Sequence, residues 1–230
     1  MKPHLRQQWV IPPGQSAEFV ARMEDLLDLY QRPYDPTRPL VCIDELPKQL
    51  VSEVRRPQSA APGRPARFDY EYRREGVANL FLIFEPLLAW RAVQVTARRT
   101  AVDFAEVLRF VVEDLHPDAE RVALVVDNLN THGPWCLYEA FESERARRIA
   151  ARLEWHYTPR HSSWLNVAEV ELAALTKQCL DRRIGSSEKL TRATAAWEEE
   201  RNERMVGAKW RFTTADARIK LHRLYPSMQE

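Results

Sequence analysis

The sequence predicts an α/β fold in which a mixed sheet is flanked by helices. Three observations carry that expectation. Short apolar runs of strand length recur along the chain, namely PLVCID, NLFLIFEP, WRAVQVTA, RVALVVDN and LEWHYTP. Longer stretches with apolar residues at helical spacing alternate with them. Two of the apolar runs end in an aspartate, Asp44 and Asp127. In open α/β sheets, such strand ends are where sites are built.

In chain order, residues 15–31 place Phe19, Met23, Leu26, Leu27 and Tyr30 on one helical face, with prolines on both sides as limits. PLVCID then reads as a buried strand ending at Asp44. Residues 57–66, PQSAAPGRPA, have turn composition and no period, which predicts an exposed loop. Residues 79–86 and 90–97 read as a hairpin turning near Pro86. Val102–Leu115 carries a helical stripe of Phe104, Val107, Leu108, Val111 and Val112. RVALVVDN (121–128) and LEWHYTP (153–159) are strands with a helix expected between them. Helices are expected over about 164–180 and 187–205, and a last one within 213–226, capped by Thr213 or Thr214.

Composition narrows the function only by exclusion. Of 230 residues, 45% are hydrophobic and 29% charged, which is ordinary globular usage. The longest apolar runs fall well short of a membrane span, and MKPHLRQQWV has no apolar signal core. Cys42, Cys136 and Cys179 form no close pair, against a disulfide framework or zinc knuckle. A reducing, cytoplasmic setting follows. The net charge of +1 gives no global support to nucleic-acid binding. Local basic clusters remain at Arg145, Arg147, Arg148 and Arg152, at Arg182 and Arg183, and at Arg218, Lys220 and Arg223.

An acid ending a buried apolar strand is costly unless it is paired or holds a metal. Hydrolysis of a phosphodiester by two magnesium ions needs two or three such carboxylates, converging from different elements. Asp44 and Asp127 have this context. A third acid is expected in HYTPRHSSWLNVAEVELAAL (156–175), where Leu165, Ala168, Leu172, Leu175 and Cys179 form the core stripe. Glu169 and Glu171 flank that stripe on opposite sides, because two residues turn a helix by about 200°. Periodicity does not choose between them. Asn128 and His132 follow Asp127 on the loop leaving its strand, where a histidine can bind phosphate or move a proton.

VCIDE (41–45), VVDNLNTH (125–132) and HYTPRHSSWLNVAEVEL (156–172) together resemble the D-D-E signature of bacterial insertion-sequence transposases of the six-thirty type, in the Tc/mariner superfamily. The likeness extends over nearly the whole chain, through RRTAVDFAEVL, QCLDRRI and WRFTTADARIKLHRLYP. It implies an RNase H-like fold over 41–185, after a lead-in over 1–40 and before a helical extension over 186–230. The acid three residues after Leu165-Asn166 is Glu169, so the resemblance selects it over Glu171. It implies that Asp44, Asp127 and Glu169 are the catalytic and metal-holding residues, with two Mg2+ or Mn2+ ions. Glu45, Asn128, His132, His161 and Asn166 would support them or contact phosphate, and Arg160 and Ser163 would touch the DNA backbone. The implied activity is cutting of transposon ends and strand transfer into target DNA at TA, by a homodimer assembled on DNA near the nucleoid.

Only 43 residues precede Asp44, less than the helix-turn-helix modules of relatives require. The expectation is therefore a separate end-recognition chain, a split frame or a truncated element. Two other readings were weighed. One is a non-catalytic remnant that binds DNA or dimerises, and the intact acid triad disfavours it. The other is a different RNase H-like nuclease, such as a junction resolvase, which the D-N-x-x-x-H and W-L-N-x-x-E strings disfavour.

Overall fold

The structure, a computed structural model, describes residues 14–226 apart from Phe68, His161 and Lys209. Five strands form one mixed sheet: β1 (Leu40–Glu53), β2 (Tyr72–Glu85), β3 (Trp90–Thr96), β4 (Val122–Val126) and β5 (Leu153–Tyr157). Their spatial order is β3-β2-β1-β4-β5. The β1–β2 and β2–β3 pairs are antiparallel, and the β1–β4 and β4–β5 pairs are parallel. The helices are α1 (Ala17–Gln31), α2 (Ala101–Arg109), α3 (Trp135–Ala140), α4 (Ser143–Ala151), α5 (Ala168–Leu175), α6 (Ser187–Glu203) and α7 (Thr214–Lys220). Among the described residues no helix is long and apolar enough to cross a membrane.

Strand alternation divides the core into two layers. Leu40 and Cys42 of β1, Leu80, Leu82 and Phe84 of β2, and Ala123 and Val125 of β4 pack with α1, α5, α6 and α7. Val41, Ile43, Phe81, Ile83, Val122, Leu124 and Val126 face α2, α3 and α4 on the other side. The sheet is thus apolar on both faces, as a sheet covered on both sides requires.

Caps explain the helix starts. Ser16 accepts from the Phe19 amide at 3.2 Å to begin α1. Thr100 with Asp103, and Thr213 with Asp216, form reciprocal capping boxes for α2 and α7. Thr213, not Thr214, is therefore the cap of the last helix. Helix α2 continues into a π-helical turn over Phe110–Leu115, and α5 into another over Thr176–Leu180.

The outer strand β3 is covered rather than left open. The Val93 amide donates to Glu198 at 2.8 Å and the Arg91 amide to Asn202 at 2.9 Å, so side chains of α6 take the place of a sixth strand.

Several boundaries differ from expectation. Strand β1 does not end at Asp44 but runs on to Glu53, because β2 continues to pair with it after β4 has stopped. Its LPKQLVSE half is only partly covered and shows no clean alternation. The helix expected from Trp164 begins at Ala168, after a single 3-10 turn over Ser163–Leu165. The helix expected between β4 and β5 is two, α3 and α4.

Candidate active site

Strands β1 and β4 pair in parallel through Leu40–Ala123, Val41–Leu124 and Cys42–Val125, and then part. Continuing that register sets Asp44 beside Asp127, two residues beyond the last pair. Both fall on the alternation face that carries Cys42 and Val125, the side covered by α5. The fork between the strands thus presents two carboxylates to the helix that bears Glu169.

The electrostatics match that arrangement. Burial pushes the Asp44 carboxyl up to about 7, and the neighbouring charges of Asp127, Glu169 and Glu45 add to the rise. The Glu45 amide, donating to Asp44 Oδ1 at 2.8 Å, acts in the opposite sense. Four carboxylates therefore concentrate negative potential at one partly buried point.

Glu169 and Glu171 have separate fates. Glu171 is 2% exposed. Its carboxylate accepts from Arg201 Nη2 at 2.8 and 2.9 Å and from Arg201 Nε at 3.2 Å. Arg91 Nε lies 3.4 Å from the same group. Glu171 is consumed by this buried pair of guanidiniums. Glu169, on the other side of α5, is the one whose charge acts on Asp44.

Asn166 ties the two acid-bearing elements together. Its Nδ2 donates to the Ile43 carbonyl at 2.9 Å, next to Asp44, and its Oδ1 accepts from the Ala168 amide at 3.1 Å, at the start of α5. The Tyr30 hydroxyl of α1 donates to the Leu165 carbonyl at 2.7 Å and so anchors the turn before α5 to α1.

His132 bridges the two strand ends from below. Its side chain is fully enclosed and stacks on Phe104 at 4.2 Å between ring centroids. Nε2 meets Glu45 Oε2 at 2.9 Å. Nδ1 lies 2.5 Å from Asp127 Oδ1, a charge contact whose angle departs from a hydrogen bond. Burial opposes a charge on this ring, but Asp127 and Glu45 outweigh it and raise its pKa to about 9. Arg99 Nη1 reaches Glu45 Oε1 at 3.5 Å.

The remaining expected residues lie around this centre. Asn128 donates to the Thr158 carbonyl and accepts from Arg22 Nη1 at 2.8 Å. Arg160 and Ser163 are exposed and line a cavity of about 550 Å3 together with Asp127, Asn128, Leu129 and Ser162. His161 lies outside the described residues. Several arginines of the basic clusters are paired with acids, some of them at the surface. Arg145 pairs with Glu113 at 2.5 Å, Arg183 with Glu53 at 2.5 Å and Arg218 with Glu24 at 2.8 Å. Arg152 donates to the carbonyls of Val112, His116 and Ala119, closing the turn after α2. Sequence reasoning placed Tyr30 only on the apolar face of its helix and did not single out Arg91, Arg99 or Arg201. Each acts through a partner distant in the chain, and no local pattern marks it.

Carboxylates are hard oxygen donors suited to magnesium or manganese. Among the described residues no three acid, histidine or cysteine side chains already stand as a closed metal site. Asp127 is turned onto His132 instead. The fit is therefore one of chemistry and charge, with mutually repelling acids that a divalent cation would neutralise.

The model of the DDE superfamily endonucleases matches residues 39–191. Solved structures of similar fold include the Mos1 transposase paired-end complex with left transposon end and the Mos1 strand transfer complex. Each has 18% identity and a TM-score of 0.53, over 87% of this chain and 61% of that one. The Mos1 mariner paired end complex with Mn matches over the same shares, with 18% identity and a TM-score of 0.52. At such identity the likeness is one of fold, the RNase H-like mixed sheet flanked by helices. This chain spans about three fifths of the length of those proteins. Among curated proteins nothing matches it.

Proposed function

Because the chain belongs to the DDE superfamily endonucleases, we propose that it is the catalytic domain of a DNA transposase whose acting acids are Asp44, Asp127 and Glu169. The observation that carries this reading is the fork of β1 and β4, where Asp44 is held near neutrality by burial and by the other two acids. Such a cluster costs stability unless it has a use.

The three carboxylates would hold two magnesium or manganese ions. When bound, the ions supply Lewis acidity at the scissile phosphate and at the leaving oxygen. The chain's own residues do the rest. Asn166 fixes the distance between the Asp44 strand and the Glu169 helix. His132 holds Asp127 against Glu45 and keeps the loop after β4 in place. Arg160 and Ser163, at the rim of the cavity beside Asp127, contact the phosphate backbone.

The substrate is transposon-end DNA, and the product end is joined to target DNA at TA by a pair of protomers. Support for this comes from the similar proteins, which were solved as paired-end and strand transfer complexes.

The test is nicking of supercoiled DNA that carries the flanking inverted repeats, in magnesium. Asp127→Asn is expected to lose at least a hundredfold in rate while remaining folded. Equal rates for wild type and variant would overturn the assignment.

A further inference from the structure

A second cavity, of about 370 Å3, adjoins the one beside Asp127 and shares Asn128 and Leu129 with it. Its other walls are Arg22, Asn130, Trp135 and Tyr157, with His132 behind. Trp135 is half exposed, at 50%. The indole is nevertheless fixed. Its Nε1 donates to the Asn130 carbonyl at 3.2 Å. Its six-membered ring occupies the space of a side chain at residue 133, with ring carbons 2.0–2.4 Å from where a Cβ would be. Only glycine at 133 permits that placement. Tyr157 is fixed as well, stacked on Trp155 at 5.8 Å and donating to the His132 carbonyl at 3.2 Å. Arg22 is held at the rim by Glu18 at 2.9 Å and by Asn128 at 2.8 Å.

A rigid, half-exposed indole beside side-chain amides and a guanidinium is suited to a planar, polar-edged, negatively tethered ligand. A nucleobase has that chemistry: an aromatic face, hydrogen-bonding edges and a phosphate. An apolar protein side chain would leave the exposed Asn130 side chain unmatched, whereas Asn128 is already engaged by Thr158 and Arg22. The volume falls in the range of small-molecule sites, about 300–1,000 Å3. The shared walls Asn128 and Leu129 place this cavity next to the one beside Asp127. We propose that this cavity receives an unstacked base from the nucleotide next to the cut phosphate, stacked on Trp135, with Arg22 on the adjoining backbone. The proposal rests on the nuclease reading of the neighbouring carboxylates. Stacking repays part of the cost of opening the duplex at the cut.

The test is equilibrium binding of the full chain in calcium to a forked duplex made from the flanking inverted repeat. The nucleotide at the fork carries a base or is abasic. Wild type should prefer the base-bearing fork about tenfold. Trp135→Ala should abolish that preference, and Trp135→Phe should retain it. Arg22→Gln should weaken both forks alike. Equal preference in wild type and Trp135→Ala, or failure of Trp135→Phe to retain it, would overturn the proposal. Failure to nick any DNA in magnesium would instead strike the transposase reading, while the base preference is still read by binding.

Discussion

Replacing Glu171 by glutamine isolates the charge that holds α5 in its rotation. The side chain keeps its shape but leaves two guanidiniums without a full counter-charge, and Arg91 is wholly enclosed while Arg201 is 12% exposed. Breaking a buried pair from one side costs about 3–5 kcal/mol. One oxygen still accepts from Arg201 in the variant, so the lower end, about 3 kcal/mol, is expected. A domain of ordinary stability, about 5–15 kcal/mol, survives this loss and can be measured. Urea unfolding followed by circular dichroism should show a lower midpoint with an unchanged slope. Substituting all three residues together, Glu171→Leu with Arg91→Met and Arg201→Met, should recover most of the stability. Glu169→Gln should behave in the opposite way, with stability equal to or above wild type and nicking lost. A Glu171→Gln cost under about 1 kcal/mol, or loss of nicking without loss of stability, would refute the division of labour between the two glutamates.

Three further outcomes are expected. Asn166→Ala removes two buried hydrogen bonds and should cost about 2–4 kcal/mol by denaturation, with a fall in nicking rate larger than that of a distant core variant of equal stability. Magnesium or manganese should raise the melting temperature of wild type in a concentration-dependent way, and a thermal-shift titration should show a smaller rise for Asp44→Asn. Arg152→Ala removes the guanidinium that donates to the Val112 and Ala119 carbonyls and leaves the His116 carbonyl only the Ala119 amide. It should cost about 3 kcal/mol while leaving the salt dependence of DNA binding unchanged.

Asp44 and Asp127 stood out in the sequence because each follows a buried apolar run, and the parallel pairing of β1 and β4 sets those two strand ends side by side. The fold class was legible in strands and helices of distinct period. Glu169 was not legible from periodicity. The residues that settle the geometry, Arg91 and Arg201, lie on β3 and α6, and spacing within α5 cannot reveal them. The partners of the basic clusters were hidden for a related reason, because Glu113, Glu53 and Glu24 reach Arg145, Arg183 and Arg218 from remote segments. The extension of β1 past Asp44 was hidden because one-sided pairing with β2 needs no alternating pattern. The start of α5 was displaced because the Asn166 side chain, not a residue near Trp164, supplies the first turn's acceptor.

The grip of α6 on both β3 and α5 also bears on when the protein becomes able to cut. Chains emerge from the ribosome N-terminus first. Asp44, Asp127 and Glu169 are all synthesised before Arg201 and Asn202, the residues that clamp α5 and cover the outer strand. Until that last long helix has docked, Glu171 has only half of its counter-charge, and the orientation of Glu169 is not enforced. A nascent or C-terminally clipped chain would carry every acid in its sequence and still lack a set nuclease geometry. Under the proposed nuclease reading, this order of assembly works as a safety catch that releases only once α6 has docked.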